Sequence, residues 1–232
     1  MRAKRIKGLD PAAPLAEGAA EIVLVRVGEL LGFLPKALDE DEVRSHHDMR
    51  IAAKRLRYVL EATGFCFGGP AGAARKAARD LQEVLGEMHD ADVMLPRLAQ
   101  HRAALREADA AEVRDAAGDD PDLDPALAAQ APHRTAYRGL EVYEVYLLAR
   151  RSLLHERFTE LCSEHEKRGV WHALTEAAER ELEVARQRRE AAERAERLRL
   201  ELEQAEREQR EAAERGRRAA EALAEAERRG EA

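Results

Sequence analysis

The stretch "HHDMRIAAKRLRYVLE" occupies residues 46–61. An α-helix advances about 100° per residue, so with His47 at zero, Arg50, Lys54 and Arg57 fall at roughly −60°, −20° and −80°. Met49, Ala52, Ala53, Leu56, Val59 and Leu60 fall between roughly 120° and 240°. Arg55 lies near 80°, at the border. The spacing predicts an amphipathic helix with a core face and a basic face, and only Glu61 intrudes on the basic stripe, at its far end. Asp39, Glu40, Asp41 and Glu42 precede it, which suits the positive end of a helix dipole. A solvated helix face usually interleaves acids with bases at i,i+4, yet Arg50, Lys54 and Arg57 have no acid among them, and His46 and His47 can add charge. Like charges at this spacing repel. The stripe is therefore either an ordinary solvated surface or a seat for a multivalent anion that offsets the repulsion.

The surrounding chain is 232 residues long, poor in aromatics, and rich in Ala, Leu, Glu and Arg. That composition predicts an all-α protein, and no run of alternating β-branched residues argues otherwise. No stretch of about 18 apolar residues appears, so no membrane span is expected. The basic start "MRAKRIKGLDPAAP" lacks the apolar segment of a secretory signal. Cys66 and Cys162 are too few and too far apart for a disulfide framework and read as reduced thiols of a cytoplasmic protein. Net charge is −7, but residues 1–100 carry 15 bases and 15 acids, so the acidity lies elsewhere and does not exclude an anionic partner.

Along the chain, a basic tail (1–11) precedes a helical bundle (12–117). Ile22, Val23, Val25, Val27, Leu30, Leu31 and Leu34 give the first helix (12–37) its apolar side. The basic helix follows and ends at "GFCFGGP". A third helix is expected over 71–88, with Arg75, Lys76 and Arg79 away from its core face. A fourth is expected from "HDADV" to about Ala117, with Pro96 near its first turn. Short connections between four amphipathic helices predict a four-helix bundle. "GDDPDLDP" opens an acidic linker (118–131); it lacks the closing Glu and central Gly of a calcium loop. A further packed helix (132–170) and a long Ala/Glu/Arg helix (171–232) complete the chain. The long helix carries favourable pairs such as Glu193–Arg197 and Glu206–Arg210, and its leucines are too sparse for sustained heptads. It reads as a single solvated helix or one strand of a weak coiled coil.

"LQEVLGEMHDADVML" (81–95) is the second informative stretch. Gly86 in a helical pattern marks close packing or a bend. Asp90 reads equally as a helix cap or as a group orienting a base of the second helix. Together, "HHDMRIAAKRLRYVLE" and "LQEVLGEMHDADVML" resemble the CHAD family, the conserved histidine α-helical domains, over about residues 15–117. The resemblance implies a helical domain that binds inorganic polyphosphate without catalysis. It places His47, Arg50, Lys54, Arg55 and Arg57 in the family's basic motif and Arg79 at a basic position of the next helix. His89 stands where the family often has Arg before Asp. The family usually contains two related halves, each with one basic motif; this chain has one and resembles a half-length member. The resemblance also implies a cytoplasmic protein associated with polyphosphate granules.

Polyphosphate suits the stripe physically, because a row of Arg and Lys gives bidentate contacts and counterion release. No catalytic residue, cofactor or metal site is expected: there is no Walker loop or paired acidic ligand set, and the adjacent His46 and His47 point about 100° apart. Stacking aromatics are lacking beyond Tyr58, which disfavours nucleic acid. A homodimer is expected, with the 46–57 helices of two chains facing a shared groove. The alternative is an adaptor that assembles through the long charged helix.

Overall fold

The computed structural model describes residues 3–119 and 121–230, apart from the side chains of residues 226 and 227. Met1 and Arg2 of the basic tail, and Asp120 of the acidic break, lie outside the described residues. Among the described residues there is no strand. The helices are α1 (Leu15–Ala37), α2 (Val43–Thr63), α3 (Gly69–Ala117), α4 (Pro125–Ala129), α5 (Arg134–Lys167) and α6 (Val170–Gly230), with a 3-10 turn at Gly64–Cys66. Among the described residues, no helix is long and apolar enough to cross a membrane.

The chain divides into two units, the first ending at Leu182 and the second starting at Glu183. In the first unit, α2 packs between α1 and α3, and α5 lies along α3. The apolar face expected of residues 46–61 is the face that packs: Met49, Ala52, Ala53, Leu56 and Leu60 are all buried. They meet Val23, Val27 and Leu30 of α1, Leu81, Leu85 and Met88 of α3, Phe158 of α5, and Leu174 of α6 in one core.

The boundary expected between a third and a fourth helix at His89–Asp90 does not exist. Residues 69–117 form one helix, with Asp90 and Pro96 inside it. The apolar face runs through the supposed junction, since Leu85, Met88, Ala91 and Leu98 are all buried. Pro96 forfeits one helical N–H, and packing on both sides of it outweighs that local cost. The fourth member of the bundle is consequently α5. Asp90 is exposed and caps no helix; the acid that pairs across the bundle is the part-buried Asp92, which accepts from Arg151 Nε of α5 at 2.5 Å. Arg151 also donates to the Glu40 carbonyl at 3.0 Å, tying α5 to the turn before α2.

His46 belongs to the same buried junction. Its Nε2–H donates to the Ala37 carbonyl at 2.8 Å, and its ring stands edge-on to His155 and Phe158. The first turn of α5 is held by Asp109 of α3, which accepts from Tyr137 Oη and, at 2.6 Å, from His133 Nδ1. Burial opposes the charge on Asp109, but these hydrogen bonds hold its carboxyl below the usual range. The Tyr137 hydroxyl is pushed up to about 12 by burial and by Asp109.

The second unit, residues 183–232, is helical through Gly230. Leu198, Leu202 and Leu223 are exposed. Ion pairs along this helix include Glu193–Arg197 and Glu206–Arg210, both at 3.9 Å and in the expected order, and Arg199–Glu203 at 3.3 Å in the reverse order.

Candidate anion-binding groove

Packing the apolar stripe of α2 inward leaves its basic stripe beside α3, whose 75, 79, 82, 86, 89 positions recur at helical spacing. The two helices run antiparallel, so opposite ends of the stripes meet. His47 lies against His89, with ring centroids 4.7 Å apart and planes inclined at 48°. One turn on, Arg50 lies over Gly86: a Cβ placed on that glycine would come within 3.4 Å of Arg50 Nε. Further along, Arg57 Nε donates to Gln82 Oε1 at 3.0 Å. The groove then widens into a depression of about 350 Å³ lined by Arg57, Glu61, Gly72, Arg75, Lys76 and Arg79.

The charge in this groove is unevenly compensated. Arg57 Nη1 donates to Glu61 at 2.8 Å, and its guanidinium stacks 4.5 Å from the Tyr58 ring centre. Lys54 is exposed, and its ammonium is 5.8 Å from the same ring. Lys76 pairs with Asp80 at 3.4 Å, while Arg79 stands 3.8 Å from both Asp80 and Glu83. Arg50 Nε and His47 Nδ1 are buried without a hydrogen-bond partner. A buried donor left in this state costs roughly 1–3 kcal/mol, more when charged. An anion reached by a small adjustment of either side chain would relieve part of that cost.

Burial lowers the pKa of His47, and the neighbouring His89 lowers it further because two facing imidazolium ions repel. The charge at the His47 end of the groove therefore responds to pH.

The expected residues do not all come together. His47, Arg50, Lys54, Arg57, Arg79 and His89 lie along the α2–α3 groove. Arg55 is half-buried at the border of the stripe and is engaged in interactions of its own. His46 is 1% exposed, and the Ala37 carbonyl occupies its Nε2–H. An anion in the groove cannot reach it in this arrangement, so its place is in the core. Burial is also the main reason its pKa is lowered.

Arg75, Lys76, Gln82 and Gly86 are additions that the sequence reading did not place in the site. Arg75, Gln82 and Gly86 share Arg79's helix face, a signal that becomes usable once α3 is known to lie antiparallel to α2. Among the described residues, no group of three or more His, Cys, Asp or Glu side chains is placed to hold a metal ion.

Residues 2–99 match the family model for the CHAD domain. The match contains α1, α2, the whole groove and α3 as far as Ala99; it stops short of α5, so the resemblance is narrower at its C-terminal end than the 15–117 suggested by the motifs. No curated protein and no solved structure matches the chain.

Proposed function

We propose that the α2–α3 groove binds inorganic polyphosphate and performs no chemistry on it. The CHAD domain is associated in general with polyphosphate binding, and residues 2–99 carry that domain's match. The observation that supports the reading most directly is the alignment of two helical stripes on one groove: His47, Arg50, Lys54 and Arg57 from α2, with Arg75, Arg79 and His89 from α3. A linear chain of phosphates presents repeating charge, which a linear series of cations matches better than a single phosphate does. Guanidinium groups at Arg50 and Arg57 offer paired donors, while the exposed Lys54 acts as a point charge.

His47 serves as an adjustable charge rather than a phospho-acceptor. His47 faces another imidazole, and burial together with His89 outweighs the pull of Asp48, so the ring is less basic than usual. A cytoplasmic setting, with polyphosphate granules as the source of ligand, is part of the same proposal and rests on the association of the CHAD domain with polyphosphate.

Titration of the protein with polyphosphate, RNA and orthophosphate at several salt concentrations tests the reading. Saturable binding to polyphosphate, a steep inverse dependence on salt, and much weaker response to orthophosphate are expected. Equal affinity for RNA and polyphosphate would replace the reading with a general polyanion surface.

A further inference from the structure

One face of α5 remains uncovered. Val142, Val145 and Leu153 are 64%, 66% and 64% exposed, and Tyr146 is 55% exposed. With Ala149 they lie within one stripe at spacings of three and four residues. The opposite side of the same helix is buried at Leu147, Arg151, His155 and Phe158, so its orientation in the bundle is fixed. The exposed apolar stripe extends about 16 Å, at 1.5 Å per residue. Isolated apolar side chains on a surface are ordinary, but a contiguous stripe with charged ends has the layout of an interface.

The ends identify the partner. On this stripe, Arg134 and Arg138 lie before the apolar patch, and Glu156 and Glu160 lie after it. All four are exposed. A two-fold axis level with Leu147 brings Arg138 opposite the partner's Glu156 and Arg134 opposite the partner's Glu160. Each pairing occurs twice. The same axis sets Val145 against the partner's Ala149, large against small, and Val142 against the partner's Ser152. Leu153 falls opposite the partner's Glu141, but at the centre and at both ends shape and charge are complementary about one point, which is the requirement of an isologous contact. Antiparallel helices also place opposite dipole ends together.

We infer that two copies of this chain associate through the α5 face, antiparallel about Leu147. The contact uses no residue of the α2–α3 groove and holds whatever the groove binds. It differs from a dimer in which the basic helices face one another: bases there confront bases, whereas here bases confront acids.

Sedimentation of the full-length protein without polyphosphate tests the inference. A concentration-dependent dimer is expected. Val145→Arg introduces charge at the centre of the contact and raises the dimer Kd about tenfold or more. Arg138→Glu weakens the dimer by confronting the partner's Glu156 twice, and Arg138→Glu/Glu156→Arg restores it. These positions are exposed, so helical content remains unchanged in each variant. A protein that stays monomeric at high micromolar concentration overturns the inference. So does a dimer indifferent to Val145→Arg, which would be held by another surface such as the 183–230 helix, and so does a charge-reversed double variant no stronger than Arg138→Glu alone.

Discussion

Replacing Arg50, Lys54 and Arg57 together by alanine separates charge from fold. If each contacts one phosphate, counterion release sets the loss in log–log salt slope at about 0.7 per contact on a flexible single strand, hence about 2 units for the triple variant. The three contributions are unequal. Arg57 already donates to Glu61 and Gln82, so a phosphate must compete with both. Arg50 Nε is buried without a hydrogen-bond partner and has no such competitor at that atom. Single substitution at Arg50 should accordingly lower affinity more than substitution at Arg57. Stability should change little, because the apolar stripe on the other face stays intact; removal of the Arg57–Glu61 pair costs about 0.2–0.5 kcal/mol. Leu56→Ala provides the contrast: it empties a fully buried site and should cost about 2–5 kcal/mol. Fluorescence-detected polyphosphate titrations across a salt series, with urea unfolding in parallel, supply both readings. A third variant replacing Arg194, Arg197 and Arg210 controls for nonspecific loss of charge and should keep the wild-type slope. A folded Arg50/Lys54/Arg57 variant with unchanged affinity and slope would refute the assignment and leave the stripe a solvated surface.

Glu61→Gln removes the acid at the end of the stripe and frees Arg57, so polyphosphate affinity should rise about twofold, as expected for releasing an i,i+4 pair; titration at fixed low salt measures this. Gly86→Leu fills the space under Arg50 and should reduce affinity in the direction of Arg50→Ala, while circular dichroism reports an undiminished helix. Affinity should increase as pH falls, because an anion favours charged His47; since burial and His89 lower its pKa, the rise should extend below the ordinary value of 6.5, and His47→Arg should flatten the profile. Fold stability should move the opposite way: His46 and His165 are buried with lowered pKa values, so below 6.5 the unfolded chain takes up more protons, and urea midpoints should decrease as pH drops through that value toward the folded pKa values.

The amphipathic character of α2 was legible because a 3.6-residue period survives any detail of its surroundings. Its neighbour α3 was harder. Gly86, the His89–Asp90 pair and Pro96 are local signals for a break, yet the apolar period continues through Leu85, Met88, Ala91 and Leu98, and tertiary packing favours that continuity. His46 shows a different limit. On a helical wheel it borders the basic stripe; only the fold brings the Ala37 carbonyl and Phe158 to it and turns it into a core residue. Gln82 and Gly86 became site residues through the antiparallel register of α2 and α3, which no single helix encodes. The anchoring of α5 by Asp109 is likewise invisible in sequence, since its partners His133 and Tyr137 lie across the acidic linker. The CHAD resemblance pointed to the correct stretch of chain for the family match, but the side of α3 that completes the groove came from three-dimensional packing.

Nuclear magnetic resonance of arginine Nε–Hε groups during a polyphosphate titration tests the central claim most directly, because it observes the proposed contacts themselves. Arg50 and Arg57 should shift and saturate together, and the Arg50 Nε–H should exchange more slowly with water as it acquires an acceptor. Arginines such as Arg194 and Arg210 on the 183–230 helix should remain unmoved. Saturable binding accompanied by shifts on that helix, with Arg50 and Arg57 unchanged, would contradict the α2–α3 groove as the polyphosphate site.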